Sequence, residues 1–139
     1  LPTQLVDSFK STLTEITEAD LLIHVVDISH LNYNDHIESV NLILNEIDSS
    51  DKPFIMVFNK TDMFMNNKQV IEDVNDMDYE KNSIDSLKKS LRKKYDKVFF
   101  MSALNKDDIN NFRRDVYKEI RKIHITRFPY NAFLYPDIT

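Results

Sequence analysis

The 139-residue chain carries 18 Lys and Arg against 23 Asp and Glu, and it has no Gly, no Cys and no Trp. Its length predicts one domain with a sizeable core. The lack of Cys excludes disulfides, thiolate nucleophiles and Cys-based zinc sites. The lack of Gly excludes a Gly-rich phosphate loop within the chain. The net charge of −5 argues against a general polyanion binder. Without a secretory segment or a membrane-length apolar run, we expect a cytoplasmic protein with no membrane partner.

Four segments show the apolar period of an amphipathic helix. Their apolar stripes are Leu5, Val6, Phe9, Leu13 and Ile16; Ile37, Val40, Ile43, Leu44 and Ile47; Ile84, Leu87, Leu91 and Tyr95; and Ile109, Phe112, Val116, Ile120 and Ile123. Ser83 is placed to act as the N-cap of the third helix. Asp107 and Asp108 suit the positive N-terminal end of the fourth.

Three short apolar runs alternate with these helices, at residues 21–26, 54–58 and 98–101. Their β-branched and aromatic composition is typical of strands that are buried on both faces. Strands that alternate with helices predict a parallel sheet covered on both sides. Ligands of such sheets bind beyond the carboxyl ends of the strands. These ends are residues 27–30, 59–62 and 102–104.

Two segments depart from the alternation. Residues 63–82 are polar and acidic, and we expect a mobile excursion with one short helix. The pattern of residues 124–127 is compatible with the start of a strand, and an aromatic tail follows over residues 128–139.

Residues 59–62 read Asn-Lys-Thr-Asp, which is the N-K-x-D guanine-specificity motif of GTP-binding proteins. Guanine presents two adjacent donors, and the Asp62 carboxylate would accept both in a charge-assisted pair. Lys60 would lay its methylene stem along the base while its ammonium stays in water, and Asn59 would tie the loop to neighbouring backbone. On its own, so short a motif is equally compatible with a polar turn after a strand.

Ser102, Ala103 and Leu104 end the next strand and resemble the S-A-K/L element of the same proteins. There the Ala103 N–H would donate to guanine O6, and the Ser102 hydroxyl would steady the Asp62 loop. Two such elements on successive strand ends favour a nucleotide site over an incidental turn. The predicted guanine-binding residues are Asn59, Lys60, Asp62, Ser102, Ala103 and Leu104. No catalytic or metal-binding residue is predicted.

Two further segments narrow the resemblance. Residues 1–6 read Leu-Pro-Thr-Gln-Leu-Val, and residues 24–30 read His-Val-Val-Asp-Ile-Ser-His. Together with the two motifs they resemble the HflX family of ribosome-associated GTPases, over residue 1 to about residue 120. The resemblance implies an α/β fold, a partial P-loop-type G domain with three α/β/α layers and a mostly parallel sheet. Residues 1–123 would be the carboxyl half of that domain, and residues 124–139 a tail toward a C-terminal region.

Other parts of the family pattern are missing from the chain. The phosphate loop, the first switch and the D-T-V-G-F motif do not occur, and residues 105–108 read Asn-Lys-Asp-Asp where the family often has T-G-E-G. The resemblance implies GTP and GDP as ligands, with Mg²⁺ held only by an upstream half. It also implies GTP hydrolysis and binding to the large ribosomal subunit by the full-length protein, with this chain alone inactive.

Two alternative functions remain open at this stage. One is that of a different bacterial GTPase family that shares N-K-x-D and S-A, against which residues 1–6 and 24–30 count. The other is that of a degenerate or truncated G domain that acts only as a protein-interaction module. An unpaired sheet edge along residues 21–26 would also favour self-association. A basic helix segment is read as a solvated face, with contacts to RNA phosphates as the alternative. Its residues are Lys88, Lys89, Arg92, Lys93 and Lys94.

Overall fold

The computed structural model describes residues 3–64 and 77–129. The elements in chain order are α1 (Thr3–Glu18), β1 (Leu22–Asp27), α2 (Tyr33–Glu46), β2 (Phe54–Asn59), α3 (Met77–Lys94), β3 (Val98–Phe100) and α4 (Lys106–Arg127). The three strands form one sheet in the order β1-β2-β3, and both strand pairs are parallel. The predicted α/β class and the alternation of helices with strands are confirmed.

The central strand β2 separates two apolar clusters. On one face, Met56 and Phe58 pack with Ile37 of α2 and Leu91 of α3. On the other face, Ile55 and Val57 pack with a set of partly buried α4 residues, which are Ile109, Phe112 and Val116. Helices therefore cover the sheet on both sides, which confirms the three-layer arrangement.

Phe58 anchors the carboxyl end of β2 in the core. Its side chain is 0% exposed. Its ring centroid lies 6.3 Å from that of Tyr33, 6.2 Å from that of Tyr95 and 5.4 Å from that of Phe100, with the Phe100 ring stacked on it. Close-packed aromatic contacts of this kind leave the strand little freedom to shift. The polar residues that follow Phe58 are therefore attached to a strand end that is fixed in the core.

The edge strand β1 is less buried than the sequence predicts. Ile23 is 43% exposed and Val25 is 60% exposed, although both lie in a run expected to be buried on both faces. Neither belongs to the cluster under α4, because that helix packs against the neighbouring part of the sheet. Burial on both faces therefore holds for residues 55–58 of β2 and fails for the face of β1 that carries Ile23 and Val25.

Two helix boundaries differ from the sequence prediction. The helix expected to start after Ser83 begins at Met77. Residues 124–127, compatible with a strand, instead continue α4, and the Phe128 N–H donates to the His124 carbonyl at 2.7 Å. Basic side chains suit the negative end of a helix, and Arg127 also pairs with Asp20 at 2.7 Å. Residues 65–76 of the expected excursion and residues 130–139 of the tail lie outside the described residues.

Candidate functional site

Backbone hydrogen bonds bring the three strand ends together. Parallel register places Asp27 of β1 beside Asn59 of β2, and the Ile28 N–H donates to the Asn59 carbonyl at 3.1 Å. On the other side of β2, the Met101 N–H donates to the Phe58 carbonyl at 3.0 Å. The Thr61 N–H then donates to the Met101 carbonyl at 3.3 Å. The segments after all three strands thus form one continuous edge, where ligands of parallel sheets bind.

The Asn59 side chain joins the two predicted motifs. Its Oδ1 accepts a hydrogen bond from the Ala103 N–H at 3.0 Å, although 44 residues separate them in sequence. This is the tie to neighbouring backbone expected of Asn59. It also engages the donor expected to reach guanine O6. A base that accepts from Ala103 must therefore share this N–H with Asn59 or replace the Asn59 oxygen.

Lys60 starts a short helical turn that carries Asp62. Its φ is 65°, in the left-handed region, and its carbonyl accepts from the N–H groups of Met63 and Phe64, both at 3.1 Å. Phe64 packs against the core, which holds the turn at residues 61–64 on the domain. Asp62 lies within this turn and is half-buried. Within residues 3–64 and 77–129, the Asp62 carboxylate has no hydrogen bond or ion pair.

The Lys60 ammonium pairs with Asp27 at the end of β1. The distance from Nζ to Oδ2 is 2.7 Å, and the side chains are 49% and 34% exposed. The other Asp27 oxygen, Oδ1, accepts from the Ser29 N–H at 3.0 Å and from the Ser29 hydroxyl at 2.5 Å. The hydrogen bond from Lys60, followed by the one from the Ser29 hydroxyl, lowers the pKa of Asp27 from 3.8 to about 2. Asp27 is therefore fully ionised at neutral pH.

Ser102 lies in a turn held by the start of α4. Its N–H donates to Asp108 Oδ2 at 2.9 Å, and its Oγ accepts from the Leu104 N–H at 3.3 Å. The Ser102 hydroxyl, expected to steady the Asp62 loop, thus contacts its own turn. The loop that carries Asp62 is tied instead by Asn59 and by the Thr61 N–H. Leu104 is 88% exposed at the rim of this edge.

Three residues of this edge were not among the predicted site residues. Asn105 is the N-cap of α4, since its side chain accepts from the N–H groups of Asp107 and Asp108. Asp108 holds the Ser102 turn, and Asp27 holds Lys60. Local sequence signals exist for Asp27 and Asn105. The Asp-x-Ser spacing after a strand favours an Asx-turn at Asp27, and Asn before an acidic first turn favours an N-cap at Asn105. The Asp27 contact with Lys60 has no local signal.

At this edge the structure brings together the half-buried carboxylate of Asp62, the backbone N–H of Ala103 and the aliphatic stem of Lys60. Within residues 3–64 and 77–129, there is no group of three or more His, Cys, Asp or Glu side chains that would hold a metal ion. None of the helices in these same ranges is long and apolar enough to cross a membrane.

The chain is similar to known proteins, and one alignment covers nearly its whole length. The chain is 53% identical over 143 aligned positions to GTPase HflX of Flavobacterium psychrophilum, which covers 99% of this chain and 34% of that protein. It is 48% identical over 62 residues to GTPase HflX of Alkalihalophilus pseudofirmus and 46% identical over 63 residues to that of Escherichia coli. Each of these two alignments covers 45% of this chain and 15% of the relative.

No protein-family model matches the chain. The chain spans about a third of the length of its Flavobacterium relative, and the alignment includes both motif-bearing strand ends because it covers 99% of the chain. On this similarity and on its three-stranded parallel sheet with flanking helices, the chain belongs to the HflX GTPase family.

Proposed function

We propose that this chain forms the guanine-recognition end of the nucleotide pocket of an HflX-type GTPase. The observation that carries the proposal is the hydrogen bond from the Ala103 N–H to Asn59 Oδ1. It holds the two motif loops together at the carboxyl edge of the sheet, as a shared base site requires. The Asp62 carboxylate then reads the two donors on the guanine edge.

In this proposal, a segment outside these 139 residues supplies the phosphate cradle and the Mg²⁺ ligands. The chain contains no Gly, so it has no phosphate loop of its own. Phosphoryl transfer depends on groups that position and stabilise the transferred phosphate. The full-length protein would hydrolyse GTP to GDP and phosphate, whereas this chain would supply base recognition.

The cellular setting follows from the family and belongs to the same proposal. The full-length protein would act in the cytoplasm on the large ribosomal subunit. Co-sedimentation of the full-length protein with isolated large subunits, in the presence of a non-hydrolysable GTP analogue or of GDP, tests this part. Equal recovery in the pellet with and without subunits would contradict it.

Displacement of a fluorescent GDP analogue tests the base site. In the full-length protein that contains this chain, we expect GDP to displace the analogue and ADP to fail, because adenine lacks the adjacent donor pair. Asp62→Asn should weaken GDP by roughly 10- to 100-fold, because a charge-assisted pair is lost. It should strengthen XDP, because a carboxamide offers one acceptor and one donor to the xanthine edge.

The matched control is Asp51→Asn, which makes the same chemical change in the exposed loop before β2, at the amino end of the sheet. This variant should keep the wild-type GDP-to-XDP ratio. An unchanged ratio in Asp62→Asn would mean that Asp62 does not face the base edge, and the guanine assignment would fail.

A second function has one observation in its favour. Ile23 and Val25 are exposed along the edge strand β1, which leaves apolar surface and unpaired backbone. An interaction module would use this edge and would bind guanine and adenine nucleotides equally weakly. The GDP and ADP arms of the displacement experiment therefore separate the two functions.

A further inference from the structure

Asp27 connects the end of β1 to the loop that carries the N-K-x-D motif. Its two carboxylate oxygens have different partners: Oδ1 accepts from Ser29, and Oδ2 accepts from the Lys60 ammonium. The register of β1 and β2 places Asp27 beside Asn59, so the backbone that carries the Asp27 carboxylate is held by the sheet. One side chain thus connects the end of β1 to the Lys60 ammonium.

Lys60 depends on such a partner for its orientation. Its side chain is 49% exposed, and an exposed lysine stem has many rotamers of similar free energy. Its backbone has a left-handed φ of 65°. The contact with Asp27 selects, among the remaining rotamers, those that carry the stem across the carboxyl ends of β1 and β2.

We propose that Asp27 is a positioning residue for nucleotide binding, which holds the Lys60 ammonium so that the lysine stem stays packed over the guanine base. This inference rests on the proposed function of the site. Asp27 does not contact the nucleotide; it reduces the conformational entropy that the Lys60 side chain loses when the guanine base binds. The negative charge also neutralises the ammonium next to the base.

Two consequences distinguish this role from that of Asp62. A stem packed on the base face reads no base edge, so loss of Asp27 should weaken guanine and xanthine nucleotides by the same factor. Because Asp27 acts through Lys60, its effect should disappear when the ammonium is absent. If Asp27 served only to hold the Ser29 turn, the effect of its loss on nucleotide affinity would remain when the Lys60 ammonium is absent.

The experiment is a double-mutant cycle in the full-length protein that contains this chain. Asp27→Asn removes the charge and keeps an acceptor for Ser29, and Lys60→Met keeps the stem and removes the ammonium. We expect Asp27→Asn to raise the Kd of the fluorescent GDP analogue by roughly two- to five-fold, the range of a half-exposed ion pair, and to raise that of XDP equally. In the Lys60→Met background, Asp27→Asn should change neither Kd.

The matched control is Glu119→Gln. It removes the charge of Glu119, which pairs with Lys122 and with Lys97, and Lys97 lies just before β3 at the opposite end of the sheet. We expect the control to leave both Kd values at their wild-type level. Melting temperatures of all variants separate a folding defect from a binding defect. If Asp27→Asn does not fold, Asp27→Glu, which keeps the charge on a longer stem, replaces it in both backgrounds, and its effect must likewise vanish with Lys60→Met.

Each outcome decides between the inference and the function beneath it. If GDP does not outcompete ADP, the proposed function fails and this inference fails with it. If Asp62→Asn shifts the preference toward XDP while Asp27→Asn leaves GDP binding unchanged, the inference alone is overturned. It is also overturned if Asp27→Asn weakens GDP by the same factor with and without the Lys60 ammonium.

Discussion

A chain without glycine must use other residues wherever the backbone enters the left-handed region. Asp48 has a φ of 54° and Lys60 a φ of 65°. Asp48 follows α2, where its N–H donates to the Asn45 carbonyl at 3.2 Å and the Ser49 N–H donates to the Leu44 carbonyl at 2.8 Å. These two bonds form a Schellman motif with Asp at the position that usually holds Gly. Glycine substitutions at both sites therefore test the energetics of the fold and of the Asp27 contact together.

The expected magnitudes differ because only Lys60 has an ion-pair partner. A left-handed conformation costs an ordinary L-residue about 1–2 kcal/mol. Glycine removes that cost and adds about 0.5–1 kcal/mol of unfolded-state freedom. Asp48→Gly should thus raise the free energy of unfolding by about 0.5–1 kcal/mol. Lys60→Gly also loses the ion pair with Asp27, worth about 0.2–1 kcal/mol, so its net change should lie near zero.

Urea denaturation of the chain measures these differences, from the shift in midpoint at constant slope. Arg113→Gly, at an exposed position within α4, is the control for glycine itself and should cost about 0.7–1 kcal/mol. A loss of stability in Asp48→Gly similar to that of Arg113→Gly would refute the strain argument. A gain in Lys60→Gly as large as that in Asp48→Gly would show that the ion pair with Asp27 contributes nothing to stability.

Three further predictions concern acid stability, the sheet edge and catalysis. Because folding lowers the pKa of Asp27 from 3.8 to about 2, its stabilising effect is complete above about pH 4 and is lost as the pH falls toward 2; in urea titrations Asp27→Asn should flatten this part of the pH profile. We expect the chain to self-associate through β1, so Val25→Lys should shift its sedimentation toward that of a monomer. The control Leu42→Lys, at an exposed position of α2, should leave the sedimentation unchanged. Finally, the chain by itself should release no more phosphate from GTP than a boiled control does. Sustained turnover by contaminant-free protein would contradict the proposal that another segment supplies the phosphate-binding residues.

Local patterns predicted the architecture because they are properties of short segments. Four apolar stripes and three apolar runs identified the four long helices and the three strands of the described residues, since burial against a neighbouring layer requires that periodicity. The short helical turn at residues 61–64 was not among them. The same reasoning placed the motif residues at strand ends. The helix boundaries were less accurate: α3 begins before Ser83 and α4 continues through residues 124–127. Ends depend on weak capping and charge effects that several neighbouring residues satisfy equally well.

The sequence by itself determined the residue types and the strand ends on which the candidate site is built, because N-K-x-D and S-A-L are contiguous and directly follow buried strands. Only the tertiary structure decided which of these groups meet. Asn59 reaches Ala103 across 44 residues, and Lys60 reaches Asp27 across 33 residues. Both contacts depend on the parallel register of the three strands, which brings together segments far apart in sequence. Asp27 therefore became part of the site only when β1 and β2 were placed side by side.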